Sequence, residues 1–201
     1  MSTIYLTPPG SGLDQCLHEF KESLRKNPFR TRLIVPSSGL ARFITNQLKE
    51  EFSAFRKDAV TTPDRFAAEL LRQKSPGLIL IDEMLARQIL YDILQDTDKG
   101  SIVARFGISP GKVSDLFLLF QEIRAYQNEN TFFSQEKNPK IAELRHLYLQ
   151  YRSILSQNDF VDGPSLFGRA ATIQPDSDLC LFVYGVRSPY PDLQVFFQNL
   201  N

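Results

Sequence analysis

Apolar positions along this chain follow two different spacings, and the change from one to the other divides it. Leu13, Cys16, Leu17, Phe20 and Leu24 recur at helical spacing and predict a helix over 13–24, preceded by a short apolar run at 4–6 that reads as a strand. Residues 32–35, Arg-Leu-Ile-Val, read as a second strand ended by Pro36, and Ser37 with Ser38 offers an N-cap. A helix should follow, with Leu40, Phe43, Ile44, Leu48 and Phe52 on one face. Residues 59–61 form a third short strand. Thr62-Pro63 is then an N-cap with proline at the first helical position, and Phe66, Leu70 and Leu71 form the stripe of the next helix. Residues 1–74 therefore alternate strand and helix three times, which implies a parallel α/β sheet.

Lys74-Ser75-Pro76-Gly77 breaks that rhythm. From about 80 to 172 only helical periodicity is visible. Leu85, Ile89, Ile93 and Leu94 mark one helix. Ser109-Pro110 caps another, carrying Val113, Leu116, Phe117, Phe120 and Ile123. Asn138-Pro139 caps a third, carrying Ile141, Leu144, Tyr148, Tyr151 and Leu155, and Asp162-Gly163-Pro164 opens a short fourth with Leu166, Phe167 and Ala170. The run 179–184, Leu-Cys-Leu-Phe-Val-Tyr, is apolar without a break, as suits a strand buried on both faces. Gly185 ends it, and a last helix is expected from about Pro191 with Leu193, Phe196, Phe197 and Leu200. No second half of the sheet follows, so the chain reads as a fragment of a longer protein.

Composition narrows the class. The 201 residues are 42% apolar and 23% charged, ordinary for a soluble globular protein. No apolar stretch approaches the ~20 residues of a membrane span, and the N-terminus has no signal-peptide pattern. Cys16 and Cys180 lie far apart, each within an apolar run. Buried free thiols are the expectation, in a reducing, cytoplasmic setting. Net charge is zero, which argues against a strong nucleic-acid binder, but its distribution is uneven. Residues 21–74 hold twelve Lys/Arg against six Asp/Glu, and the rest of the chain is acidic. A basic face on the N-terminal third is one reading of that asymmetry, and an ordinary solvated surface is the other.

The chemistry-bearing patterns are few. Gly10-Ser11-Gly12 lies between the first strand and the first helix, where a phosphate-binding loop would sit. Such a loop needs Lys and then Ser or Thr after its last glycine, to reach the β/γ-phosphates and hold Mg²⁺. Here Leu13 supplies no charge and Asp14 would repel a phosphate. An anion held by backbone N–H groups at the helix start remains one reading of Gly10, Ser11 and Gly12, and a plain tight turn the other. Residues 78–83, Leu-Ile-Leu-Ile-Asp-Glu, mimic a Mg²⁺-binding strand end, yet Asp82 and Glu83 also suit the first turn of a helix, which is the reading preferred. His18 and His146 are isolated on predicted helices, no metal-ligand spacing occurs, and no nucleophile elbow is present. Phe117, Phe120, Tyr126, Tyr148 and Tyr151 read as helix–helix core.

The order strand–loop–helix, strand–helix, strand–helix, helical insertion, strand resembles the first RecA-like domain of superfamily 1 helicases. Residues 33–48 (LIVPSSGLARFITNQL) resemble its motif Ia region, and 60–71 (VTTPDRFAAELL) the Thr-x-x-x-Phe-Ala segment that follows. Residues 144–155 with 160–163 (FVDG) resemble the stretch before motif II; in 181–193 (LFVYGVRSPYPDL), Tyr184-Gly185 stands where a helicase has Asp-Glu. The combination is similar to the AddB-like family of ATP-dependent helicase–nucleases, whose N-terminal half is a helicase-like module with weakened ATPase motifs. This resemblance implies an α/β fold of the RecA-like P-loop NTPase type. Its strands would lie near 3–7, 32–35, 59–62 and 179–184. The α/β domain would comprise 1–78 with 175–201, and an all-helical subdomain would span 79–174.

By the same resemblance Ser37, Ser38, Arg42, Thr62 and Arg65 occupy positions that touch the backbone of single-stranded DNA in related helicases. Hydroxyls and backbone N–H groups bond phosphates and arginine adds charge; capping and surface exposure are the structural alternatives, and both roles can coexist. Few aromatics accompany the segment, so no base-stacking platform is evident in it. The family's nuclease motif, Pro-Asp…Asp/Glu-x-Lys, and its iron–sulfur cysteines are missing, so nuclease activity is implied for the parent protein only. The expectation is a non-catalytic helicase-like module of a DNA helicase–nuclease complex in double-strand-break repair and recombination. It would contact single-stranded DNA and a motor subunit, with no catalytic residue, metal or cofactor of its own and no membrane association. A degenerate but nucleotide-binding P-loop protein and a protein-interaction scaffold without nucleic acid are the other readings.

Overall fold

A computed structural model of the chain describes residues 3–6, 12–97, 101, 103, 107–125, 129–134, 138–176, 178–187 and 191–200. It divides into two units, residues 1–74 with 170–201 and residues 75–169. Helices dominate, with a small parallel sheet in the first unit.

In the first unit the strands are β1 (Thr3–Leu6), β2 (Thr31–Ile34), β3 (Val60–Thr61) and β6 (Cys180–Val183), paired in the order β1-β6-β2-β3, all parallel. Parallel neighbours need crossover connections. α1 (Leu13–Lys26) follows β1, α2 (Ser38–Glu51) crosses from β2 to its neighbour β3, α3 (Pro63–Lys74) follows β3, and α9 (Pro191–Asn199) follows β6. The last strand lies between the first two, with Leu181 opposite both Ile4 and Arg32. Its uninterrupted apolar sequence is explained by that position: Leu181, Phe182 and Val183 are all buried.

Side chains alternate across the sheet. Leu33, Val35 and Phe182 form one core with Cys16, Leu17, Phe20 and Leu24 of α1 and Ala41, Ile44 and Leu48 of α2. Phe20 meets Phe182 edge-on at 5.7 Å between centroids. Truncating a fully buried ring such as Phe20 costs roughly 3–5 kcal/mol. On the opposite face Arg32 lies over Phe66 of α3, and Phe66 packs on Phe196 of α9. Cys16 is buried and Cys180 half-buried, both as free thiols.

The second unit holds α4 (Glu83–Asp96), α5 (Pro110–Ala125), α6 (Glu129–Phe132) and α7 (Pro139–Gln157). It is not all helical. β4 (Ile79–Leu80) and β5 (Phe160–Val161) pair in parallel, with Ile79 opposite Phe160. The short α8 (Leu166–Ala170) comes after β5. The run at 78–83 is thus a strand followed by a helix start. Asp82 is the N-cap of α4, its Oδ1 accepting from Leu85 N at 2.9 Å. Two-residue strands are too short to show a period of two, which is why helical periodicity alone is legible there.

The aromatic stripe forms the core of this unit: Phe117, Phe120, Tyr148 and Tyr151 are each at most 2% exposed, while Tyr126 lies outside the described residues. Burying tyrosine demands a partner for its hydroxyl. Tyr148 donates to Glu129, and Tyr151 donates to Asp162 at 2.9 Å. Asp162 is itself 2% exposed and also accepts from Arg124 at 2.6 Å and from Ser165 N at 3.2 Å. Burial first, and the adjacent carboxylates second, push both phenols well above the usual tyrosine range. Among the described residues no helix is long and apolar enough to cross a membrane.

Candidate nucleic-acid interface

Because the four strands of the first unit are parallel, their C-terminal ends share one edge, and the helix starts that follow gather there. Open α/β sheets bind ligands at this edge. Orphan N–H groups of helix first turns point out of it, and their dipoles favour negative charge.

Ser37 is extended (φ −144°, ψ 151°) and caps α2, its Oγ accepting from Leu40 N at 3.2 Å. Ser37 and Ser38 are exposed, so capping leaves the remaining hydroxyl capacity facing solvent. Arg42, one turn further, is exposed, as is Arg65 in the first turn of α3. Neither arginine has an ion-pair partner among the described residues. Thr62 differs: it is 8% exposed, and its carbonyl accepts from Phe66 N at 3.0 Å to open α3. Burial withdraws its side chain from the surface and makes it a positioning residue for the helix start.

Of the glycine loop, Gly10 and Ser11 lie outside the described residues. Gly12 is the N-cap of α1, extended at φ −63° and ψ 153°, with no side-chain cap. Asp14 follows in the first turn. Tyr184 and Gly185, at the end of β6, bring no carboxylate to this edge.

Two residues of this edge escape sequence reasoning. Arg187 is exposed and without an ion-pair partner among the described residues. It joins the edge because β6 lies beside β2, a neighbourhood fixed by long-range pairing and invisible to local periodicity. Gly185 takes φ 64°, the left-handed region, and a Cβ there would meet Pro36 at 3.8 Å, so the loops after β6 and β2 run side by side. Phe43, expected on the buried face of α2, is 56% exposed. The buried stripe is Ala41, Ile44 and Leu48, and Phe43 lies off it by one helical step.

At the opposite edge charges are satisfied internally. Arg32, 2% exposed, donates to Glu69 at 2.8 and 2.5 Å and to Asp58 at 2.6 Å. Arg56 donates to Asp58 at 2.6 Å and to Glu69 at 2.5 Å. Burial works against the Asp58 carboxylate, but its contacts with Glu69, Arg32 and Arg56 outweigh that and hold its pKa below the ordinary value of 3.8. Lys74 pairs with Asp176 at 2.6 Å and lowers that carboxyl as well. Arg32, Arg56, Glu69, Lys74 and Asp176 line a small cavity of about 30 Å³. Arg32 Nε is buried without a hydrogen-bond partner.

No grouping of His, Cys, Asp and Glu suited to a metal occurs among the described residues. His18 and His146 are both exposed. No protein-family model matches this chain, and no curated protein matches it.

Proposed function

We propose that this chain carries a RecA-like, non-hydrolysing helicase-like module of a DNA helicase–nuclease complex, guiding single-stranded DNA and docking on a motor subunit during double-strand-break repair and recombination. The observation that carries the reading is the C-terminal edge of the first unit's sheet. There Arg42, Arg65 and Arg187 are exposed and unpaired among the described residues, beside the helix starts at Ser37–Ser38 and Thr62. Unpaired cations next to helix N-termini suit a phosphate backbone. Leu13 and Asp14, at the positions of the P-loop Lys and Ser/Thr, support guidance without hydrolysis.

The test is fluorescence anisotropy of a labelled single-stranded oligonucleotide at low salt, with an Arg42→Glu/Arg65→Glu variant alongside. The expected result is salt-sensitive binding that the variant loses, with the log–log salt slope reduced by about 1.4 for two lost phosphate contacts. Zero net charge favours the scaffold reading. Absence of binding at high protein concentration would transfer the assignment to that reading.

A further inference from the structure

We infer that Phe43 is a base-stacking residue: its exposed ring takes one face of an unpaired nucleobase while Arg42 holds the adjoining phosphate. The inference rests on the single-strand reading above and specifies how that edge would grip the strand. Phe29 and Phe43 are the strongly exposed phenylalanines among the described residues, and Phe29 lies before β2, at the opposite edge. Phe43 has no ring contact among the described residues, so its π-face is unoccupied.

Geometry on α2 directs that face toward the C-terminal edge. Helical side chains lean back toward the helix N-terminus, so Phe43 covers the turn before its own Cα. The residue four positions earlier is Gly39, and a Cβ there would meet only Ser37 Oγ, at 4.0 Å. The helix surface one turn before Phe43 is therefore open.

Chemistry favours nucleic acid over an acidic or purely apolar partner. Arg42 is adjacent, exposed and unpaired; Ser38 and Asn46 are exposed hydrogen-bonding groups; no carboxylate precedes Glu50 on α2. An aromatic face beside a free cation is the recurring means of holding single strands without reading sequence, because every base has a π-face.

Phe43→Trp would place the chain's sole tryptophan at this point, since the sequence has none. Its emission should be quenched on titration with oligothymidylate, and unchanged with an abasic strand of the same length. Anisotropy supplies the second arm. The unsubstituted protein should bind oligothymidylate on the order of tenfold more tightly than the abasic strand. Phe43→Ala and Phe43→Leu should bind both strands alike, with the salt slope unchanged.

Equal binding of oligothymidylate by Phe43→Ala and the unsubstituted protein would overturn the stacking role and leave the single-strand reading intact. Self-association of the unsubstituted protein that Phe43→Ala loses, read by sedimentation, would also overturn it, by assigning the ring to a second copy of this chain. No binding of either strand by the unsubstituted protein would overturn both. Phe43 is exposed enough that circular dichroism should show all three variants folded.

Discussion

At the N-terminal end of the sheet in the first unit, Arg30, Arg32 and Arg56 each have a carboxylate partner. At the C-terminal end Arg42, Arg65 and Arg187 have none among the described residues. One residue type serves two ends of one sheet under different constraints. Arg32 is a cation within a buried layer, tolerable only because Asp58 and Glu69 surround it. The unpaired arginines stay hydrated, contribute little to folding, and raise the local potential where helix starts already favour anions. Acids at that end, Asp14, Asp64 and Asp192, sit in first turns, where the helix dipole favours them too. Charge that holds the fold together is therefore spatially separate from charge available to a ligand.

The sharpest way to break this contrast is Arg32→Met. It leaves Asp58 and Glu69 with Arg56 as their remaining guanidinium partner and should cost about 2 kcal/mol in urea unfolding, while the folded fraction keeps its affinity for single strands. Ser37→Ala tests the other end: loss of the α2 cap should cost about 1 kcal/mol by the same measurement. Acid probes the ion cluster without mutation. The folded pKa of Asp58 lies below its unfolded value of 3.8, so its contribution is fully present above that pH and is lost as pH falls through the lower folded value. Thermal melts should therefore steepen their decline below about pH 4, and Asp58→Asn should flatten that slope. The smallest effects belong to exposed groups. Lys74→Ala breaks a solvent-facing pair, and Arg187→Ala breaks none; each should leave stability within about 0.5 kcal/mol. Arg187→Ala should nevertheless weaken single-strand binding at low salt.

How much of this is legible in the sequence depends on the range of the interactions involved. The stripe from Leu13 to Leu24 announces α1 because each of its contacts follows from local spacing, and Cys16, Leu17, Phe20 and Leu24 are indeed buried. Ser37 as a cap is equally local. Phe43 misleads because Ala41, a small residue that carries little weight in an apolar pattern, forms the flank of the buried stripe away from it. The pairing of Ile79 with Phe160, and the position of Arg187 on the loop that runs beside Pro36, depend on contacts across many tens of residues. No local pattern encodes these. Arg32 reads as an ordinary strand residue, since its charge gives no sign that Asp58 and Glu69 close around it.

The position of β6 also carries a consequence for the order in which the molecule is made. A ribosome delivers β1, β2 and β3 first, yet β1 and β2 do not pair with each other; both pair with a strand that emerges only after residues 75–169 have been synthesised. Until then β1 has no neighbour, and β2 is paired on one side alone, leaving strand edges open to other chains. Joining the sheet requires closing a long loop, a slow step that high sequence separation makes slower. The second unit, one unbroken stretch of chain from 75 to 169, is free to form during that interval. The nascent first 74 residues are thus the stage at which this protein is most exposed to aggregation, and the point at which a chaperone would gain most by binding it.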